Sequence, residues 1–308
     1  MDIFKQTVRR VRAIPVLNRP LTSAIKVVCQ LAGGTPGWVV RHLVRSGPAR
    51  SSLPNGQIFK LRTQGDDWIS NELFWKEWDG FEPETSPVFY ELAAKSTVVF
   101  DVGAHIGYYS ILAGLANPAS KVYAFEPLPR AIRRFRENLN ENKIDNVELI
   151  ERAVGASPGE APFYCLPDTS SGIPSSSGLS KIFFEQPCCV NDGISPRITA
   201  QVIRLDDFVK ERRIERVDLV KIDTETTEPD VLRGMSAILK RDHPDLIFEV
   251  LPWLNTDERI DEILCPLDYR YYLLTDNGAQ ERSHIRSDQL HRNYLARSPK
   301  RALRRDLQ

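Results

Sequence analysis

The run Val98–Gly107 (VVFDVGAHIG) constrains the fold of this chain more than any other stretch. An apolar strand ends in Asp101, and Gly103 and Gly107 then turn the backbone into an apolar helix. A strand, a tight turn and a helix in this order are typical of open α/β sheets, which bind ligands outside the carboxyl ends of their strands. We therefore expect this turn to present backbone N–H groups and a carboxylate to an open crevice.

Strands alternate with helices from Thr97 onward. Apolar runs predict the strands, and apolar residues at helical spacing predict the helices. The predicted strands are 97–102, 121–125, 147–150, 217–222, 246–250 and 269–274, and the predicted helices are about 107–116, about 130–142, one opened by Pro229, and one near 256–264. This alternation predicts an α/β fold of the Rossmann-like kind, a mostly parallel central sheet with helices on both faces.

Three parts are expected along the chain. Residues 1–95 read as an N-terminal appendage, mainly helical, with one short strand at 57–62 and a helix within 67–78. Its first 55 residues read as helical pieces separated by Pro15, Pro20, Pro36 and Pro48. Residues 96–280 form the α/β domain, and residues 281–308 a basic C-terminal strand and tail.

Charge is unevenly distributed, although the net charge is zero. Residues 1–65 carry 11 basic side chains against Asp2, and residues 282–308 carry eight against two acids. Basic ends of this kind suit anionic lipid, a phosphorylated substrate or an acidic partner, and they equally suit plain solvated ends. Basic and apolar residues mix over Ile3–Leu17, which leaves peripheral contact with a membrane open.

Cysteine usage and hydropathy indicate a reduced, cytoplasmic protein. The five cysteines include no CxxC pair. No run is apolar for long enough to cross a membrane, and we expect no transmembrane segment and no signal peptide.

Acidic residues at the ends of the first two predicted strands indicate the ligand. Glu126 follows the second strand, at the place where an acid binds both ribose hydroxyls. A dinucleotide fingerprint would need glycine at 105 and 108, where this chain has His105 and Tyr108, so a pyrophosphate is poorly supported. Asp101 suits a cationic group. A ribose and an ammonium group without a pyrophosphate describe S-adenosylmethionine.

Three blocks resemble the FkbM-type family of class I S-adenosylmethionine-dependent methyltransferases over about residues 97–250. They are Asp101-Val102-Gly103-Ala104 with Phe125-Glu126-Pro127, Leu205-Asp206-Asp207-Phe208, and the specific block 221–234, KIDTETTEPDVLRG. The resemblance implies methyl transfer, mostly to oxygen of sugars or secondary metabolites. The expected cofactor-binding residues are Asp101, Gly103, Ala104, His105, Gly107, Glu126, Pro127 and Asp223.

Two positions depart from the family pattern. His105 stands where the family usually has Asn, and Thr226 where it has Gly. His105 is adjacent to the expected amino-acid end of the cofactor, so it is either a hydrogen-bond donor there or a tolerated solvent-facing substitution. Thr226 puts the geometry of the acceptor site in doubt.

Carboxylates after the strand at 217–222 are the candidate catalytic groups. A sugar hydroxyl must lose a proton during methyl transfer, and a nearby carboxylate or histidine accepts it. Asp223 is expected to position cofactor or acceptor, with Glu225 as base and His105 as a further candidate. Glu249 could join them to hold a divalent cation, although we predict no metal site. Glu228 reads as a helix cap.

Two other functions remain open beside a small-molecule or glycan O-methyltransferase. One is an inactive cofactor-binding or scaffold protein of the same fold, which the residues at 105 and 226 would suit. The other is a nucleic-acid methyltransferase using the basic ends, which lacks a base-flipping motif. In the leading interpretation, the serine-rich loop 167–197 and the appendage choose the acceptor.

Overall fold

The structure, a computed structural model, describes residues 15–165, 173–174, 176–181 and 195–300. The chain divides into two compact units. The first comprises residues up to Pro83 together with 140–143 and 168–175, and the second comprises 84–139, 144–167 and 176–308.

The first unit is mainly helical. Its elements are α1 (Pro15–Leu31), α2 (Gly37–His42), β1 (Ala49–Ser52), β2 (Ile58–Leu61), α3 (Trp68–Lys76) and a 3₁₀ turn (Glu77–Gly80). Its small apolar core includes Cys29, Val39, Val40, Phe74 and Trp75.

Two local predictions for this unit are wrong. Helix α1 continues through Pro20, although a proline inside a helix removes one backbone hydrogen bond and crowds the carbonyl four residues earlier. Strand β1 lies in a stretch predicted to be helical, and it pairs antiparallel with β2. The intervening Pro54-Asn55-Gly56 was the available signal for a hairpin turn.

The second unit is built around an eight-stranded sheet. Its strands are β3 (Val98–Val102), β4 (Lys121–Phe125), β5 (Val147–Ile150), β10 (Leu219–Ile222), β11 (Asp245–Glu249), β12 (Arg270–Thr275), β13 (Gly278–Arg282) and β14 (Asn293–Arg297). The spatial order is β13-β12-β14-β11-β10-β3-β4-β5, and the five strands from β11 to β5 are mutually parallel. The predicted Rossmann-like, mostly parallel α/β fold is confirmed.

Helices cover both faces of this sheet. They are α4 (Ser86–Ala93), α5 (Tyr108–Ala116), α6 (Pro129–Asn142), α7 (Leu205–Arg212), α8 (Glu228–Gly234), α9 (Ser236–Asp242) and α10 (Thr256–Leu264). Alternation along β3 separates the faces: Phe100 and Val102 join the core beneath α7 to α10, whereas Asp101 points toward α5. Burying apolar side chains on both faces is what allows the strands to read as near-continuous apolar runs.

The C-terminal segment contributes an interior strand. β14 lies antiparallel between β11 and β12, and its Tyr294 is buried and stacks on Phe248. Residues 293–297 are therefore part of the central sheet rather than a separate basic strand.

A second, four-stranded sheet is inserted after β5. It comprises β6 (Ala153–Val154), β7 (Gly159–Cys165), β8 (Ser177–Gly178) and β9 (Ser195–Ile203) in the order β6-β9-β7-β8. Parts of the predicted loop 167–197 thus belong to β8 and β9, while residues 166–172, 175 and 182–194 lie outside the described residues.

Two whole-chain predictions concern membranes and cysteines. Within the described ranges, no helix has the length and apolar character needed to cross a bilayer. Cys29, Cys165 and Cys265 are free thiols, and Cys188 and Cys189 lie outside the described residues.

Candidate functional site

Strand order places the candidate site at the carboxyl ends of β3, β4 and β10. The chain runs from β3 outward through β4 to β5 and then returns to the other side of β3 to form β10. The direction of winding therefore reverses between β3 and β10, and a crevice opens at such a point. Asp101, Glu126 and Asp223 all lie at this edge, on or directly after their strands.

The backbone N–H groups of the turn after β3 are used within the protein. Those of Gly103 and Ala104 donate to the carbonyl of Phe125, at 3.0 and 3.1 Å, and that of Gly107 donates to Ala104. The N–H of His105 donates to Oε2 of Glu126 at 2.8 Å. The expectation that these groups face an open crevice is wrong, because the end of β4 already accepts three of them.

Both glycines of the turn are required by packing inside the protein. Gly103 has φ +81°, and a Cβ there would lie 1.8 Å from the carbonyl oxygen of Asp223. Gly107 has φ +87°, and its Cβ would lie 2.1 Å from the ring of Phe135. Gly103 lets the loops after β3 and β10 meet, and Gly107 lets α6 pack against the start of α5.

The left-handed backbone at His105 explains which residues suit this position. Its φ is +51°, and Asn, Asp and His adopt this region more readily than other side chains. The exchange of the family's Asn for His105 therefore preserves the turn. The His105 side chain is half-buried, and its role toward a cofactor or proton stays a prediction.

Asp101 is buried beneath α5 rather than open to the crevice. Its Oδ2 accepts a hydrogen bond from the Ser110 hydroxyl at 2.5 Å, and burial raises the pKa of the carboxyl to about 6. Asp101 thus anchors the first turn of α5. Sequence reasoning missed Ser110, for which the signal was a lone serine in an otherwise apolar and aromatic helix.

Glu126 joins the loops at the ends of β3 and β4. Oε2 accepts from His105 N–H, and Oε1 accepts from Leu128 N–H, each at 2.8 Å. Burial raises the pKa of Glu126 to about 7 even though these two donors favour the charged form. Each oxygen keeps a second lone pair. Pro127, directly after Glu126, and Ala104, directly before His105, are also buried.

A buried lysine, to which the sequence analysis gave no role, holds Asp223 in place. Lys221 is fully buried in β10, with Nζ 3.3 Å from Oδ2 of Asp223 and 5.0 Å from the centre of the Tyr109 ring. Its charge also opposes the rise in the pKa of Asp101. The signal was present in the sequence, because a lysine inside a buried strand is rare without a partner.

The segment from Asp223 to Glu228, here called the 223–228 segment, is strained. Glu225 and Thr226 have φ +54° and +78° in succession, and a β-branched residue is a genuine outlier there. Thr226 is buried, and its hydroxyl has no hydrogen-bond partner in the part of the chain that the structure describes. The family's Gly at this position would carry neither the strain nor the hydroxyl.

Two glutamates of the 223–228 segment have strongly raised pKa values. Desolvation, and then the charge of Asp223, raise the pKa of Glu225 to about 8, although Ser176 hydrogen-bonds its carboxylate. Burial raises the pKa of Glu228 to about 7. Oε1 of Glu228 accepts from the backbone N–H and hydroxyl of Thr224, at 2.9 and 3.1 Å, so it braces the segment in addition to opening α8. Oε2 is buried without a partner among the described residues.

Glu249 lies against a basic side chain. Its Oε1 is 3.6 Å from the Arg292 guanidinium. Among the residues described, no group of three or more His, Cys, Asp or Glu side chains is arranged to hold a metal ion.

A cavity of about 740 Å³ borders the 223–228 segment. Thr226 and Thr227 form one wall, and Leu254, Asn255 and Arg259 form another. Leu179, directly after β8, and residues of the inserted sheet line a third side. The cavity mixes apolar and polar walls and is large enough for a small molecule.

Part of this chain is similar to solved structures and to curated proteins. A crystal structure titled methyltransferase FkbM from Methylobacillus flagellatus aligns with a TM-score of 0.41 and 15% identity, covering 75% of this chain and 55% of that one. The 31-O-demethyl-FK506 methyltransferase FkbM of Streptomyces tacrolimicus is 30% identical over 155 residues, 45% of this chain and 59% of the relative.

Two further relatives have names that mention a methylated position or a sugar. The 2-O-methyltransferase NoeI of Sinorhizobium fredii is 28% identical over 141 residues, 44% of this chain and 56% of its own length. The hexuronic acid methyltransferase AglP of Haloferax volcanii is 26% identical over 159 residues, 52% and 58% respectively. The chain therefore spans less than two thirds of these relatives.

The family assignment rests on a longer match. The family described as "Methyltransferase FkbM domain" matches residues 101–271, more than half of the chain, from Asp101 at the end of β3 into β12. The 223–228 segment and Glu126 both fall within it. The chain belongs to the FkbM methyltransferase family.

Proposed function

We propose that this protein is an S-adenosylmethionine-dependent O-methyltransferase whose acceptor is a hydroxyl of a sugar, glycan or secondary metabolite. The observation that carries the proposal is the placement of acidic groups where the sheet reverses its winding: Glu126, Asp223 and Glu225 follow β4 and β10, the strands on either side of β3. The names of the relatives, which include a 2-O-methyltransferase and a hexuronic acid methyltransferase, support the acceptor class.

The hydrogen-bonding groups at this edge of the sheet fit S-adenosylmethionine. A pyrophosphate needs free N–H groups at the first turn, and those of Gly103, Ala104 and His105 are already bonded. A cationic ligand with a ribose suits acidic groups instead, with Glu126 accepting from the ribose hydroxyls and Asp223 near the amino-acid end. Ala104, His105 and Pro127 would line the same crevice. When bound, the cofactor supplies an electrophilic methyl group.

Glu225 is the proposed general base. Its pKa of about 8 makes it a stronger proton acceptor than an ordinary carboxylate. In its ionised form, the carboxylate takes the proton of the acceptor hydroxyl, and Asp223, held by Lys221, orients the reacting groups. Transfer is expected to accelerate with rising pH until about 8, because only the ionised Glu225 accepts a proton.

The cavity beside Thr226 is the proposed acceptor pocket. Thr226, which lines the cavity, directly follows the proposed base Glu225 in the sequence. Leu179 and Ser180, which also line it, belong to the predicted acceptor-side loop 167–197. Mixed walls suit a ring that carries several hydroxyls. The arginine at 259, 3.5 Å from Asp230, gives one wall a hydrogen-bond donor for an acidic or hydroxylated ligand.

Calorimetry with S-adenosylmethionine tests the cofactor assignment. We expect a Kd in the micromolar range for the full chain, about tenfold or more weaker binding in Glu126→Gln, and unchanged binding in the control Asp207→Asn, an exposed acid on α7. If Glu126→Gln binds S-adenosylmethionine as tightly as the parent, Glu126 does not bind the ribose hydroxyls.

Transfer of a labelled methyl group into a native metabolite and glycan extract tests the reaction. Glu225→Gln should bind the cofactor like the parent and transfer about 100-fold or more slowly. If the parent binds cofactor and labels nothing in any extract, the scaffold interpretation replaces the enzyme.

A further inference from the structure

Helix α1 differs from an ordinary surface helix, because its inward face is polar in the first half and its most continuous apolar stripe points outward. Its face toward the protein includes Asn18 and Thr22, both buried. Asn18 bonds the backbone of Val44 and Ser46, and the hydroxyl of Thr22 donates to the carbonyl of Asn18 and accepts from Arg45. A surface helix normally turns its apolar stripe inward. Here, the polar contacts of Asn18 and Thr22 hold the first half of the helix, and Ile25 and Cys29 join the small core in the second half.

The outward face of α1 is apolar along its whole length. Leu17, Leu21, Ala24, Val28 and Leu31 follow the helical repeat and form one stripe, which Val16, Pro20 and Val27 widen. All eight are exposed; Val28 is 64% exposed and Leu31 85%. In the same unit Trp38, the second residue of α2, is 65% exposed. A contiguous apolar surface of this kind marks an interaction site.

The positive charge around this face indicates which kind of partner it binds. Residues 15–65 contain no Asp or Glu, and they carry seven Lys and Arg. Lys26 pairs with Glu77, whereas Arg19, Arg41 and Arg50 are exposed. Two copies of this surface would bring like charges together, which disfavours a symmetric dimer. An anionic lipid surface offers both apolar depth and negative charge.

We propose that the apolar face of α1, with Trp38, binds the surface of an anionic bilayer and holds the protein there as a peripheral protein. The helix has 17 residues, including Arg19 and Lys26, and is too short and too charged to cross a bilayer. An interfacial helix lies flat with its apolar side among the acyl chains, and tryptophan favours the same depth.

Flotation of the full chain with vesicles tests the proposal. The vesicles are phosphatidylcholine alone and phosphatidylcholine mixed with phosphatidylglycerol. We expect binding to the mixed vesicles that weakens with added salt, and a loss of about tenfold or more in the double variant Leu21→Glu, Val28→Glu. The matched control is Leu290→Glu, since Leu290 is 85% exposed in the other unit. A thermal melt checks that all variants fold.

Three results would overturn the proposal. The parent fails to float with mixed vesicles; the double variant floats as well as the parent, which would assign attachment to basic charge alone; or light scattering finds an oligomer that the double variant dissociates, which would assign the face to a second copy.

Discussion

The loops after β3 and β4 and the 223–228 segment after β10 lie at one edge of the same sheet, yet they differ in how well their groups are satisfied. In the first, left-handed positions carry Gly103, His105 and Gly107, and both oxygens of Glu126 are hydrogen-bonded. In the second, left-handed positions carry Glu225 and Thr226, and a hydroxyl and a carboxylate oxygen are buried without partners in the described chain.

The difference separates two tasks. A cofactor shared by many acceptors is bound well by a rigid frame that needs no adjustment, whereas acid–base chemistry needs groups whose pKa is shifted and whose bonds are incomplete. Strain at a functional site is sustained by the stability of the surrounding structure. We therefore interpret the β3–β4 loops as the binding half of the site and the 223–228 segment as the reactive half.

Substitution of the glycine where the two halves touch should have the largest effect. In Gly103→Ala, a methyl group would overlap the carbonyl of Asp223, so we expect a loss on the order of 3–5 kcal/mol in the free energy of unfolding. Urea denaturation measures it. The matched control is Gly278→Ala, at φ +96° with no atom within 4 Å, which should lose about 1–2 kcal/mol. Equal losses would show that the halves are not in rigid contact.

Neutralising the buried glutamate of the reactive half should change how stability depends on pH. The raised pKa of Glu228 means that its contribution to stability is complete below about 4.5 and is lost as the pH rises through about 7. Glu228→Gln removes that loss, so at pH 8 it should exceed the parent by on the order of 2–3 kcal/mol, with no gain at pH 4.

Chemical denaturation across this pH range tests the prediction. Asp230→Asn is the control, because that carboxylate pairs with Arg233 at the surface. A gain in Glu228→Gln that is the same at both pH values would contradict a buried ionisation. The stability of Glu228→Gln should still fall with rising pH, less steeply than that of the parent, because the pKa values of Asp101, Glu126 and Glu225 are raised as well.

Restoring glycine at the strained threonine should have the smallest effect. Thr226→Gly relieves a positive φ and removes a buried unpaired hydroxyl, at the cost of a flexible backbone, so we expect a gain of about 1 kcal/mol. Thr227→Gly, where φ is −104° and the hydroxyl donates to the carbonyl of Thr224, should instead lose about 1–2 kcal/mol. Thermal melts compare the two. A loss in Thr226→Gly would show that the threonine methyl packs well enough to outweigh the strain.

Local patterns predicted the parallel half of the sheet well. The strands expected at 121–125 and 147–150 match β4 and β5, and the strand expected at 97–102 differs from β3 by one residue. These strands are buried on both faces, so each reads as an apolar run. The inserted sheet was not predicted, because β7 contains a glycine, a glutamate and a proline and shows little alternation of apolar residues. Nothing local indicates that β14 lies between β11 and β12.

The sequence predicted which residues lie at the site better than it predicted their hydrogen bonds. The pattern placed Glu126, Asp223 and Glu225 at strand ends, where the structure also has them. It misjudged the turn after β3, because the partners of those N–H groups are Phe125 at the end of β4 and Glu126 directly after it, far along the chain. The burial of Lys221 beside Asp223 was readable in principle, since the lysine interrupts a buried strand.

The order of strands and helices and the positions of acids at strand ends were readable from the sequence alone, because each depends on residues close together in the chain. Tertiary structure alone decided which groups face each other. Gly103 is required by a carbonyl more than 100 residues away, and Glu126 accepts a hydrogen bond from the turn after β3. The apolar stripe of α1 points outward because Asn18 and Thr22 bond to residues 45–46 and because Cys29 joins the small core. Long-range packing sets burial, and burial sets the pKa values and strain on which the proposed chemistry depends.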